Sequence, residues 1–120
     1  MQQARNKKLS NGFKAAFDGF RETLVFELVF RVMLVIALII IGAMLYFPTS
    51  RLEKVVLLAA VFAVLVLELI NSVVERVTNF LKPEHSEQAR LVKDLMAAIV
   101  LLASLGAAII GLMIFLPYIL

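Results

Sequence analysis

The stretch LMAAIVLLASLGAAIIGLMIFLPYIL, residues 95–120, carries no charged side chain over 26 consecutive positions. About 20 apolar residues are enough for an α-helix to cross the hydrocarbon core of a bilayer. An uncharged run of this length is therefore typical of a membrane span, and it is too long for an ordinary buried helix of a water-soluble domain.

Two more uncharged runs precede it, at residues 32–50 and 55–67. The second is too short by itself, but its helical pattern continues to about residue 81, where Pro83 follows as a helix breaker. Ser50 with Glu53 three residues later forms a capping box at its start. We therefore predict three transmembrane helices, at residues 28–47, 52–81 and 87–117.

The composition agrees with a membrane protein. Hydrophobic residues make up 62% of the chain and charged residues 18%, and the mean hydropathy is +0.99. Soluble domains contain roughly half apolar and a quarter charged residues. A soluble globular fold and a disordered chain are both excluded, and 120 residues allow one domain. The fold class predicted is all-α and integral to the membrane.

The segment before the first span, residues 8–24, has aromatic and aliphatic side chains at helical spacing. Phe13, Phe17, Phe20 and Leu24 share one side of such a helix. We predict an amphipathic helix that lies on the membrane surface. A helix packed on a partner protein is the alternative.

The basic residues indicate the orientation. Lys and Arg are concentrated in the N-terminal segment and around the turn before the third span, and the C-terminal end has none. The positive-inside rule then places the N-terminus in the cytoplasm and the C-terminus outside.

The absent residue types limit the chemistry. There is no cysteine, and His85 is the only histidine. Disulfides, thiolate nucleophiles and cysteine-ligated metal centres are excluded. A metal would have to be held by carboxylates, which favours Mg²⁺. The net charge of +3 is too small and too dispersed to predict nucleic-acid binding.

Three polar side chains occupy one face of the second span. Glu68, Asn71 and Glu75 are spaced i, i+3 and i+7. A charged side chain deep in a bilayer costs about 2.5–3.5 kcal/mol on insertion scales, so such residues usually have a function. The alternative is a purely structural role, in which these side chains only join helices by hydrogen bonds.

The neighbouring segments add further charges near the same membrane boundary, namely Glu27 before the first span and Lys93-Asp94 at the start of the third. Carboxylates there could hold Mg²⁺ on nucleotide phosphates, and a lysine could neutralise the transferring charge. Glu68 lies about 10 Å deeper than Glu75 and could accept a proton from an alcohol in the lipid.

Two other functions fit intramembrane acids. A small ion or proton translocator is the first. A translocator needs a polar path to the outer side of the membrane, and the outer halves of the three spans contain no ionisable side chain except Tyr46. A non-catalytic assembly subunit is the second. Arg31 and Arg76, at the membrane edges, are interpreted as snorkelling or paired residues.

Small residues recur along the third span at Ala103, Ala107 and Gly111. This spacing predicts close approach of another helix. Because three helices have little surface with which to enclose the polar face, we also expect a homo-oligomer.

Four blocks of the chain, in order, resemble the small prokaryotic lipid kinases, the diacylglycerol and undecaprenol kinase family. Residues 68–75, ELINSVVE, match the E-x-x-N-[ST]-x-x-E signature. Residues 19–21 (GFR) and 27–31 (ELVFR) resemble the surface helix and the start of the first span. Residues 93–100 (KDLMAAIV) resemble the opening of the third span.

The resemblance implies a homotrimer in the bacterial inner membrane, with sites shared between subunits. It would use ATP with Mg²⁺ to phosphorylate the hydroxyl of diacylglycerol or undecaprenol. Glu68 would be the catalytic base, and Glu27 and Glu75 would hold the metal. Residues implied in nucleotide binding are Lys8, Asn71, Glu75, Glu84, His85, Ser86, Lys93 and Asp94. Those implied in binding the lipid substrate are Arg21, Arg31 and Ala97.

Three positions depart from the family pattern. Asn79 stands where aspartate is usual, Val73 replaces a small residue, and Met33 replaces a polar or acidic one. The signature acids are intact, so these departures bear on the efficiency of the site and on the lipid more than on the reaction class.

Overall fold

The computed structural model describes residues 1–81 and 86–120, and all regular secondary structure in these ranges is helical. The prediction of an all-α chain is confirmed. The described ranges contain four helices: α1 (Gln2–Phe26), α2 (Leu28–Tyr46), α3 (Arg51–Phe80) and α4 (Glu87–Ile119). The last three are long and apolar enough to cross a membrane.

Helix α1 extends beyond the segment 8–24 at both ends, because no proline interrupts the sequence before α2. The break between α1 and α2 is a single residue, Glu27, whose backbone is extended (φ −114°, ψ 110°). The Glu27 N–H still donates to the carbonyl of Thr23 at 2.9 Å, which completes the last turn of α1. The chain therefore changes direction at an acidic residue with little loss of backbone hydrogen bonding.

The turn between α2 and α3 is closed by local hydrogen bonds. The Glu53 N–H donates to Ser50 Oγ at 3.1 Å, and the Ser50 N–H donates to Glu53 Oε1 at 2.9 Å. The capping box predicted from the sequence is thus present in both directions. In the same turn Lys54 Nζ donates to the Thr49 carbonyl at 2.7 Å. At the start of α4, Ser86 Oγ accepts from the Ala89 N–H at 3.2 Å.

The three long helices form a thin core near this turn, where Met44, Leu57 and Phe115 pack together. Helix α3 packs mainly against α4, and α2 packs against α3. No more than 17% of the most apolar window of any long helix is buried. Most of the span surface is therefore left for lipid or for other protein.

Between the core and the middle of the bundle, α2, α3 and α4 surround a cavity of about 340 Å³. Ala107 and Gly111 line it, and a Cβ built on Gly111 would meet nothing within 4 Å. Within one chain these two small residues leave space beside α4. The prediction that another helix packs closely on them stays a prediction.

Candidate active site at the acidic end

The side chains that could carry chemistry meet where α1 ends, α2 begins and α3 approaches its last turns. We call this region, with Glu22, Glu27, Glu68, Ser72 and Arg76, the acidic end. Positions 68, 72 and 76 are four residues apart, so they share one face of α3.

Glu68 is the most deeply buried of the acidic side chains here. It is 4% exposed, although it lies within the charge-poor part of a span. Its Oε2 is buried and has no hydrogen-bond partner among the described residues. Buried polar atoms are nearly always paired, because leaving one unpaired costs free energy. The unpaired oxygen is therefore available to an incoming hydroxyl group.

Ser72 connects Glu68 to Glu27. Its hydroxyl donates to Glu27 Oε2, and its Oγ also lies 3.2 Å from the backbone carbonyl oxygen of Glu68. Glu27 sits at the N-cap position of α2 but makes no side-chain capping hydrogen bond. Its carboxylate is instead directed to α3. This contact places a carboxylate from the start of α2 next to the face of α3 that carries Glu68 and Ser72.

Arg76 joins the same group from the last turns of α3. Its guanidinium lies 3.6 Å from Glu22 Oε1 and 3.9 Å from Glu27 Oε1. The side chains of Arg76 and Glu22 are about half exposed, at 49% and 55%. Ion pairs this long and this exposed contribute little to stability. They place the Arg76 guanidinium near Glu22 of α1 and near Glu27.

The remaining signature residues of α3, Asn71 and Glu75, are partly buried. Glu27 and Glu75 are charged side chains near enough to Glu68 to act on it electrostatically. The Thr78 hydroxyl donates to the backbone carbonyl of Glu75 at 3.0 Å, and the Glu75 carboxylate makes no ion pair with a described residue.

The predicted site residues of α4 lie on its exposed surface. Lys93, Asp94 and Ala97 are exposed. Within the described ranges neither Lys93 nor Asp94 forms an ion pair. Among the described residues of one chain, the charged pair of α4 thus makes no ion pair with the acids of α2 and α3.

The other predicted site residues are dispersed. Lys8 is exposed and lies about 21 Å along α1 from Glu22, at about 1.5 Å per residue. Arg21 and Arg31 are exposed on either side of the break at Glu27. Ser86 caps α4. Glu84 and His85 lie outside the described residues.

Sequence reasoning assigned no role to Ser72 or Glu22 and left two alternatives for Arg76, of which pairing is the one observed. A signal for Ser72 and Arg76 was present, since both follow Glu68 at intervals of four residues. Nothing in the sequence pointed to Glu22, because its partner lies on a distant segment.

The donors at the acidic end suit a magnesium ion that arrives with a nucleotide. Among the residues described, no three acidic or histidine side chains could enclose a metal ion. Nucleotide-bound Mg²⁺ needs only one or two carboxylates, because phosphates and waters complete its shell. Glu27, with a quarter of its side chain exposed, and Glu75 can supply these oxygens.

Comparison with known proteins gives one family. The family model described as prokaryotic diacylglycerol kinase matches residues 14–115. This range contains the whole acidic end and excludes Lys8. No individual curated protein matches the chain.

Proposed function

The chain belongs to the prokaryotic diacylglycerol kinase family, and on this premise we propose that it transfers the γ-phosphoryl group of ATP to the hydroxyl of diacylglycerol or undecaprenol. Membership supports lipid kinase activity in general, with ATP as co-substrate and a lipid in the membrane as acceptor. The observation that carries the finer proposal is Glu68, a buried carboxylate with an unpaired oxygen in a span.

In the proposed reaction Glu68 is the general base. Its free Oε2 takes the proton of the lipid hydroxyl while the lipid oxygen forms a bond to the γ-phosphorus. The bond between that phosphorus and the oxygen bridging to the β-phosphate breaks, and ADP leaves. A base at this depth can reach a hydroxyl that stays within the bilayer, which a water-exposed base could not.

Glu27 and Glu75 are the proposed ligands of Mg²⁺. When bound with ATP, the ion would neutralise charge on the phosphates. Ser72 and Arg76, which contact the Glu27 carboxylate, would hold it in position for the metal. We assign both to positioning and neither to the chemical step.

A homotrimer with shared sites is part of the proposal. Much of the apolar span surface is uncovered in one chain, and Lys93, Asp94 and Lys8 are exposed and form no ion pair with the described acids. In an oligomer these exposed groups of one copy would be free to complete the acidic end of a neighbouring copy. Crosslinking in detergent, with activity measured on the separated species, tests this.

Three long apolar helices and the family fit a protein of the inner membrane. We further propose that the N-terminus and the acidic end face the cytoplasm, where ATP is available. In this arrangement α1 lies on the membrane surface, with Phe13 and Phe17, which are exposed in the chain, inserted in the lipid.

The purified chain in lipid bilayers, supplied with MgATP and either lipid alcohol, tests the reaction. We expect phosphate transfer, with a loss of about 10²–10⁴-fold in Glu68→Gln. Glu53→Gln is the matched control, because it changes a glutamate at the far end of the same helix and glutamine can also serve in a capping box. Equal activity of Glu68→Gln and the wild type would refute the assignment of the base.

The same vesicles test the ion or proton translocator. A pH-sensitive dye trapped inside would report a proton flux that depends on Glu68 and needs no lipid acceptor. We expect no such flux.

A further inference from the structure

The cavity of about 340 Å³ among α2, α3 and α4 lies directly beyond Glu68. Val64 and Leu65, one turn before Glu68 on α3, form part of its wall, with Ala37 and Ile40 of α2 and Ala107 and Gly111 of α4. Its volume falls in the range of about 300–1,000 Å³ that is typical of small-molecule sites. It therefore offers an apolar space next to the proposed base.

One polar side chain, Ser104, interrupts the apolar wall formed by the described residues. Its Oγ is buried and makes no hydrogen bond within the described part of the chain. Helical serine and threonine hydroxyls commonly donate to a carbonyl one turn earlier, and Thr23 does so here, at 3.0 Å. Ser104 does not, which leaves its hydroxyl without an acceptor among the described residues.

Ser104 lies at nearly the depth of Glu68. Tyr118 and Glu53 are in hydrogen-bond contact at the far end of the antiparallel pair α3 and α4. From there Glu68 is about 22 Å along α3 and Ser104 about 21 Å along α4. A lipid whose hydroxyl reaches Glu68 would place its next few atoms beside Ser104.

We propose that this cavity receives one hydrocarbon chain of the lipid substrate and that the Ser104 hydroxyl donates a hydrogen bond to an ester carbonyl of that lipid. In a diacylglycerol an ester carbonyl lies only a few bonds from the free hydroxyl. In a polyprenol the atoms after the hydroxyl-bearing carbon are hydrocarbon, and the donor would stay unpaired at a cost in binding. The inference rests on the proposed function and selects an ester-linked glycerolipid as its substrate class.

The test compares three acceptors in bilayers: a diacylglycerol, its dialkyl ether analogue, which lacks carbonyls, and a polyprenol. For Ser104→Ala we expect a KM for the diacylglycerol about 5–10-fold higher, with kcat nearly unchanged. The ether lipid and the polyprenol should not respond to the substitution. Equal effects on ester and ether lipids, or none on either, would overturn the role of Ser104.

A second pair of variants tests the cavity itself. Ala107→Leu fills it, and Ala103→Leu, one turn earlier on α4 and outside its lining, is the matched control. We expect Ala107→Leu to raise the KM for the long-chain diacylglycerol and to spare a short-chain one, while Ala103→Leu spares both. If the two variants do not differ, the lipid does not use this space. A cavity found to be filled by a neighbouring copy would overturn the proposal in the same way.

The two proposals fail in different ways. Wild-type transfer to the polyprenol alone would leave lipid kinase activity intact and overturn the ester-specific site. Absence of transfer to every lipid would overturn both.

Discussion

Glu53 and Glu68 are two glutamates of the same helix in opposite circumstances. Glu53, near the start of α3, accepts hydrogen bonds from the Ser50 N–H at 2.9 Å and from the Tyr118 hydroxyl at 2.5 Å. Glu68, farther along α3, is buried, and its Oε2 has no partner among the described residues. One carboxylate is held by its surroundings, and the other is left with an open oxygen.

The comparison extends to the regions around them. The turn around residues 47–54, which we call the capped end, is closed by short local bonds, and Phe47 stacks on Tyr118 with ring centroids 5.9 Å apart. The acidic end has ion pairs of 3.6 and 3.9 Å, and the side chains in these pairs are partly exposed. We infer that the capped end serves stability and that the acidic end gives up stability for chemistry.

The largest expected effect separates the two glutamates directly. Glu68→Leu should lower lipid phosphorylation at least about 100-fold. Its thermal midpoint in detergent should stay level or rise, because an unpaired buried polar group is removed. Glu53→Leu should lower the midpoint, since the capping box is lost, and keep most of the activity per folded molecule. Circular dichroism and the kinase assay measure both, and a lower midpoint for Glu68→Leu than for Glu53→Leu would contradict the comparison.

A smaller effect is expected at Ser72. Ser72→Ala removes the hydroxyl that fixes Glu27, so the Mg²⁺ concentration for half-maximal rate should rise about 10–100-fold, as for other groups that orient metal ligands. Thr78→Val is the control, because it removes a hydroxyl on the same helix that bonds only to the Glu75 carbonyl. If both variants keep the magnesium dependence of the wild type, Ser72 does not position a ligand.

At the capped end, Tyr118→Phe removes one hydrogen bond to Glu53 and leaves the ring stacked on Phe47. We expect a decrease of a few degrees in the thermal midpoint and no change in the KM for ATP. A change in the KM for ATP would mean that the two ends are coupled.

The smallest effect is expected at Arg76. Because its ion pairs are long and half exposed, Arg76→Gln should change activity by less than about threefold at physiological salt. The difference from the wild type should shrink further as salt is raised, since exposed charges are screened. A salt series of the kinase assay measures this, and a large loss that persists at high salt would show that Arg76 contacts the substrate.

Local features were readable from the sequence. The long uncharged runs predicted three spans, and the spacing of Ser50 and Glu53 predicted a capping box that is present. The E-x-x-N-[ST]-x-x-E pattern at 68–75 pointed to the family that the comparison finds. These features depend on residues within a few positions of one another, where chain geometry alone fixes which side chains are neighbours.

The tertiary structure alone decided which groups meet. Ser72 and Glu27 are 45 positions apart, and Tyr118 and Glu53 are 65 apart. It also left Lys93 and Asp94 exposed, and it placed Ala107 and Gly111 in the wall of a cavity. In a span that is apolar on nearly every side, hydrophobic periodicity does not reveal which face turns inward. The rotation of each helix about its axis is set by side-chain packing against the other helices. That packing cannot be predicted from the pattern of neighbouring residues in the sequence.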